Sequence, residues 1–303
     1  MTQPYTKSWL SIDDQIARTV DRGMADAADH RDAFEQIGYY RLSGYWYPFR
    51  RVATDGSRLD GFYPEATFAD VLALYDFDSR LRGAVWHAVG AVELAVRAKV
   101  AYVLGEVDRY IHLDRVLLDP KVPPDKFGKF VAELKKLQDQ SKEDFVAHFH
   151  AKYDGRLPVW SVTEIMQFGQ LARLYEFSPY AERVKIAGAF GARADELVSW
   201  LRAVNIVRNV TAHHSRLWNR GIALGPQLKH RRSDSLLAHA VGMTGRSYDI
   251  IAVLAYLLHQ LGRTDILTDL RAALESFPEV PGLHLGMMRA PEGWADELLW
   301  NVM

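Results

Sequence analysis

An all-α fold is predicted by three observations. Apolar residues recur at three-and-four spacing along most of the 303 residues, alternating strand patterns are scarce, and helix-start signals precede several of the periodic runs. Composition fits an ordinary globular chain, with 49% apolar residues, 25% charged residues and a formal net charge of -1. Such a balance gives no global attraction to polyanions, so any nucleic-acid contact must come from a local patch and must weaken with salt. The absence of cysteine excludes disulfides, thiolate metal sites and a cysteine nucleophile, and it suits a reducing compartment.

The elements follow in chain order. Ser11-Ile12-Asp13-Asp14 reads as a capping-box start for a helix toward Arg22-Gly23, and a second helix is expected from Ala27 to Ile37. Aromatics then crowd the chain: Tyr39, Tyr40, Tyr45, Trp46, Tyr47 and Phe49, with Arg41, Arg50 and Arg51 among them. They could form an RNA-stacking surface or a helix-packing wedge; packing is preferred, because buried Tyr and Trp are common where their polar tip has a partner. Thr67-Phe68-Ala69-Asp70 opens a long helix toward Leu104, with at most a break near Phe77 to Arg80. Leu81, Val85, Val89, Val92 and Val96 mark its buried stripe. Glu93 and Arg97 sit one turn apart on another face, as a surface ion pair or as support for a basic site.

A proline-containing connection from Asp119 to Asp125 reads as an exposed loop or a boundary. Further helices are expected from Lys126 to His150, Trp160 to Tyr175, Ala181 to Phe190, Ala194 to Trp218, Leu236 to Leu261 and Thr264 to Ser276, before a tail irregular at first and helical at its end. The organisation expected is an N-terminal helical and aromatic segment over 1–66, a core over 67–233 and a C-terminal helical region over 234–303, or one compact domain of all three. The run from Met1 to Ser8 lacks the basic start and apolar stretch of a secretion signal, and Ile250 to Leu258 is about half the length of a bilayer span. The expected location is the cytoplasm, with no membrane role.

Function is written most clearly between Leu197 and Ser233. This stretch holds Arg202, Arg208, Arg216, Arg220, Lys229, Arg231 and Arg232 and no Asp or Glu, a cationic patch in a neutral chain. On a helix at about 100° per residue, Asn205, Arg208, Asn209, Ala212, His213 and Arg216 share an arc of roughly 140°. Val204, Val207, Val210, Leu217 and Trp218 take the remaining surface, and His214 turns toward them as a packing histidine. Asn209 and His213, four apart, are placed to touch.

A metal site at His213, His214 and His230 is disfavoured, because adjacent histidines on a helix diverge, no acidic ligand is near and the arginines repel a dication. Ser215 has no glycine elbow, and phosphate-cradling glycine loops are absent. A histidine beside fixed arginine charge suits phosphodiester cleavage in RNA. The imidazole moves protons near neutral pH, the guanidinium grips phosphate, and the ribose 2'-hydroxyl is a built-in nucleophile that needs no metal or cofactor. The competing reading is structural: Arg208, Asn209 and His213 satisfying one another in a buried polar network.

Arg208-Asn209, followed four positions later by His213, resembles the ribonuclease motif of the HEPN superfamily. The wider sequence resembles the Abi-like family of bacterial abortive-infection proteins. The marks are Gln36 through Gly44-Tyr45-Trp46, Tyr75-Asp76-Phe77-Asp78 through Arg82, Val92-Glu93 through Arg97, Pro158-Val159-Trp160, Phe168-Gly169, and Arg208-Asn209 through Asn219. The resemblance implies a HEPN-like helical bundle with N- and C-terminal helical additions and a toxin-like RNase in phage defence. It also implies a homodimer whose composite site takes one motif from each copy, under an antitoxin or a phage-derived trigger. In that reading Arg208, Asn209 and His213 are catalytic, Arg202, Arg216 and Arg220 bind RNA, and Asn205, His214, Glu93 and Arg97 give support. The rival from another class is a non-catalytic RNA-binding or phage-sensing protein that uses the same basic helix.

Overall fold

The computed structural model describes residues 4, 6 and 8–301, so the reading of the leader at Met1, Thr2, Gln3, Tyr5 and Lys7 lies outside the described residues. Twelve α-helices and one two-stranded sheet are present among them, and the all-α expectation holds. No helix is long and apolar enough to cross a membrane. The chain divides into two compact units, one made of residues 1–81 and 273–287, the other of 82–272 and 288–303.

In the first unit α1 (Ile12–Asp21) starts as the sequence predicts: the Ser11 hydroxyl accepts from the Asp14 N–H, and Asp14 reaches back to the Ser11 N–H. The helix expected from Ala27 to Ile37 is instead a 3-10 turn over Ala25–Asp29 followed by α2 (Arg31–Gln36). Gly38, at φ 89, then turns the chain into α3 (Tyr39–Trp46), a conformation that disfavours any side chain. The aromatics divide. Tyr45, Trp46 and Phe49 are buried, and Trp46 meets the edges of Tyr39 and Phe62, whereas Tyr40 and Tyr47 stay exposed.

The hairpin of β1 (Arg50–Val52) and β2 (Arg58–Phe62), antiparallel, was not read from the sequence. Its signal is Asp55-Gly56 in the connecting loop, where Gly56 takes φ 82 and Asp55 accepts the Ser57 N–H. Alternation failed as a guide because arginines, rather than apolar side chains, fasten this ribbon: Arg50 and Arg58 both donate to backbone carbonyls and lie over Tyr47.

Helix α4 (Phe68–Val107) runs 40 residues without the break considered near Phe77 to Arg80. Phe77 and Asp78 are fully buried, and Asp78 accepts the Tyr45 hydroxyl at 2.6 Å, which locks α3 against α4. Two of the quoted sequence marks therefore serve the core. The predicted stripe, Leu81, Val85, Val89, Val92 and Val96, is buried throughout.

The second unit continues with α5 (Pro124–Gln140), α6 (Asp144–Lys152), α7 (Val159–Ile165), α8 (Phe168–Phe177), α9 (Tyr180–Gly188), α10 (Ala194–Ala212), α11 (Tyr248–Gln260) and α12 (Thr264–Glu275), whose last residues belong to the first unit. Two expected helices are each split in two, α5 from α6 and α7 from α8. The proline connection is pinned, with Asp119 on Arg183 at 2.8 Å and its N–H on the Phe177 carbonyl. Helix α10 is the hub, packed by α8, α9 and α11. The helix expected from Leu236 begins only at Tyr248, after a long irregular segment with one 3-10 turn at Ala238–Ala240.

That segment is fastened to α10 by Trp200 donating to the Gln227 carbonyl and by the Gln227 N–H donating to Ser199. Its Gly225 lies against Asp249, where an added Cβ would stand 2.5 Å from Oδ2. Asp249 is fully buried in the first turn of α11, and burial pushes its carboxyl up to about 7. The folded chain thus binds a proton more tightly than the unfolded chain, and the stabilisation present below about pH 4 is lost as pH rises toward 7. Asp249→Asn should flatten that slope and gain about 1–3 kcal/mol at pH 8, read from urea melts across pH; an unchanged slope would remove Asp249 as its source.

Candidate functional site

The basic helix α10 starts by capping: the Arg193 N–H donates to Glu196, and Asp195 and Glu196 occupy the positive first turn. Its buried side carries Leu197, Trp200, Leu201, Val204, Val207 and Val210. It stops at Ala212, six residues before the expected end at Trp218. The stop is a Schellman closure. The His214 N–H meets the Thr211 carbonyl, the Ser215 N–H meets the Val210 carbonyl, and His214 takes φ 51, a left-handed conformation usually left to glycine.

Two features end the helix there. The Thr211 hydroxyl reaches the Val207 and Arg208 carbonyls, and Leu217 and Trp218, both fully buried, pull the following chain off the helix axis. The helical phase assigned to His213, His214 and Arg216 is therefore corrected. His213 is the C-cap residue, and Arg216, half-buried, lies beyond the helix. His214 is exposed rather than a packing histidine.

The motif side chains face outward. Asn209 and His213 are exposed, and among the described residues no side-chain hydrogen bond joins either of them to the other or to Arg208. No hydrogen bond joins the Asn209 and His213 side chains among the described residues, and with both exposed they form no buried polar network. Arg208 is half-buried with its guanidinium 5.5 Å over the Trp86 ring of α4, its Nε is enclosed without an acceptor, and no carboxylate pairs with it among the described residues. It is a fixed positive charge with unused donors.

The remaining candidates separate from this group. Arg202 pairs with Glu176, and Asn205 lies against Gly169, where a Cβ would meet its amide at 3.2 Å. These two α10 residues line a cavity of about 860 Å³ between α5, α8 and α10. Arg220 is exposed. Arg231, counted in the cationic patch, is not available. It is buried and donates to Glu196 and Asp234, to the Gly191 carbonyl and to Tyr256. Both carboxylates sit one residue outside the acid-free window, one at each end, so the count of charges along the sequence missed them.

Glu93 and Arg97 form a mostly buried pair at 2.9 Å rather than a surface one, and Arg97 also donates to the Met166 carbonyl. The pair clamps α4 to the turn between α7 and α8, next to the Gly169 that abuts Asn205. It makes no hydrogen bond or ion pair with Arg208, Asn209 or His213 among the described residues. Arg97→Ala should cost about 2 kcal/mol in urea melts, because it strands Glu93 and a turn carbonyl; a loss under about 0.5 kcal/mol would return the pair to the surface class. Among the described residues no group of three or more His, Asp or Glu side chains gathers at metal-binding distance.

Comparison with known families supplies the context for this geometry. Residues 32–219, more than half of the chain, match the family described as Abi-like protein. The chain belongs to the Abi-like family. Neither the curated proteins nor the solved structures contain a match. The matched span runs from α2 through the irregular residues after α10, so it includes Tyr45, Asp78, the Glu93–Arg97 clamp, Gly169 and the whole outward-facing Arg208, Asn209 and His213 group. It ends at Asn219, one residue before Arg220. Membership ties the chain to abortive infection, and the matched span includes the Arg208 guanidinium, whose enclosed Nε has no acceptor.

Proposed function

We propose that this Abi-like family member is a metal-independent endoribonuclease of the HEPN type that acts in phage defence. The observation that carries the reading is the Arg208 guanidinium, held over Trp86 with no carboxylate partner among the described residues and with an exposed histidine at the end of the same helix. A half-buried, uncompensated cation is costly unless a ligand anion completes it.

In the proposed reaction His213 takes the proton from the ribose 2'-hydroxyl, O2' bonds to phosphorus, and the bond from phosphorus to O5' breaks. The departing O5' takes a proton from solvent water and His213 returns its proton to solvent, leaving a 2',3'-cyclic phosphate and a 5'-hydroxyl. Arg208 stabilises the added negative charge on the five-coordinate phosphorus, and Asn209 orients the strand. Arg202, Arg216 and Arg220 contact the RNA backbone, and Asn205, His214, Glu93 and Arg97 support the site.

A second copy of the chain completes it. Trp86, Gly90 and Leu94 are exposed on α4 within an arc of roughly 80°, an apolar ridge that begins at the Arg208 side chain itself. Two-fold contact along this ridge brings two motifs together. An antitoxin or a phage-derived trigger restrains or releases the activity.

The deciding experiment sequences RNA ends after brief induction and measures the oligomeric state by light scattering, with Arg208→Ala as control and chelator in parallel. Cyclic-phosphate ends that persist with chelator, vanish in Arg208→Ala and come from a dimer are expected. RNA binding without any cut would favour a non-catalytic binding or sensing protein, and loss of cleavage on chelation would restore a metal mechanism.

A further inference from the structure

A cavity of the second unit lies off the motif, and its chemistry is one-sided. Its α5 wall presents Lys126, Lys129, Glu133 and Lys136, a stripe at helical spacing about 15 Å long. Arg173 of α8 and Arg202 of α10 complete the cations, so five positive side chains face two carboxylates, a net of three. Both carboxylates are engaged: Glu133 with Arg173 at 3.0 Å, and Glu176 with Arg202. Lys126, Lys129 and Lys136 are exposed and pair with no carboxylate among the described residues, so the excess charge is theirs.

We propose that this groove is the track for a single-stranded RNA backbone leading to the motif, with Lys126, Lys129 and Lys136 as phosphate contacts. The inference deepens the nuclease reading and rests on it for the choice of RNA. Direction comes from α10. Arg202 and Asn205 in the groove wall and Asn209 in the motif fall within roughly 60° of one another around the helix, and Asn209 stands only about 6 Å further along the axis than Asn205. A strand laid in the groove and continued along this face of α10 reaches Asn209. The nuclease reading chooses RNA over an acidic peptide, and a groove of this size suits a single strand. A volume of about 860 Å³ admits a few nucleotides, and the amides of Gln140, Gln167 and Gln170 offer both donors and acceptors for base and ribose edges. The three lysines and the three glutamines all lie outside the acid-free stretch from Leu197 to Ser233.

The test uses the whole 303-residue chain carrying His213→Ala, so that a labelled single-stranded RNA stays intact, and reads fluorescence anisotropy from 50 to 300 mM salt. Lys126→Gln, Lys129→Gln and Lys136→Gln together should weaken binding about tenfold or more and lower the salt slope by about 2, as three single-strand phosphate contacts require. A control that removes equal charge from exposed sites outside the groove, Lys121→Gln, Lys135→Gln and Lys142→Gln, should stay within about twofold. Equal loss in both triples, no loss in the first, or no RNA binding at all overturns the track. Displacement by polyglutamate as effective as by RNA overturns it in favour of an acidic protein partner.

Failure of the nuclease reading looks different. Wild type that binds through these lysines and never cuts keeps the track and loses the enzyme. Wild type that cuts with KM and salt slope unmoved by the first triple keeps the enzyme and loses the track.

Discussion

Under the proposed nuclease mechanism, Arg208→Ala is expected to lower RNA cleavage by about 10²–10³ and His213→Ala by about 10²–10⁴, with the fold intact in both. The two effects should not add, because guanidinium and imidazole act on one transition state; the double variant should resemble the worse single one. Folding is spared because Asn209 and His213 are exposed and neither hydrogen-bonds through its side chain to Arg208. Arg208→Lys separates charge from geometry. A lysine ammonium keeps the charge but loses the forked grip, so most of the defect should remain. His214→Ala, measured beside them, should keep at least a third of wild-type activity if His213 is the working group. Full activity in either alanine variant at position 208 or 213 ends the proposed mechanism.

Glu196→Ala carries the largest expected cost in stability, about 3–5 kcal/mol in urea melts. Glu196 is almost fully buried and takes two hydrogen bonds from Arg231, whose guanidinium lies against both the Trp200 and the Tyr256 ring. Removing the carboxylate leaves Arg231 with Asp234, the Gly191 carbonyl and Tyr256, and takes away the acceptor that two of its nitrogens share. The first turn of α10 also loses its cap, since Glu196 accepts the Arg193 N–H. The reverse design tests the cause. Glu196→Leu combined with Arg231→Met should recover much of the loss, because apolar filling removes the burial cost of both charges. Cleavage per folded molecule should be unchanged in Glu196→Ala, since the motif lies at the other end of the helix; a specific drop in rate would place Glu196 in the chemistry instead.

Residue chemistry and local period made a good part of the molecule legible. The Ser11 capping box, the buried stripe of α4 and the outward group at Arg208, Asn209 and His213 all follow from side chains a few positions apart. The hairpin at Asp55-Gly56 was equally local and was missed, because arginines to carbonyls replaced the alternation sought. Charge was misread for a sharper reason. Arg231 looked like a surface cation because its partners, Glu196 and Asp234, lie just beyond the window in which charges were counted.

By itself the sequence determined the helical class and the family, and it singled out Arg208, Asn209 and His213 as the candidate group, because periodicity and side-chain chemistry are properties of short stretches. Only the tertiary structure decided where α10 ends, since burying Leu217 and Trp218 outweighs the intrinsic tendency to continue the helix. It also decided which cations stay uncompensated. Arg208 rests on Trp86, more than a hundred residues earlier, and the lysines of α5 reach α10 across a groove that exists only once three distant helices are packed.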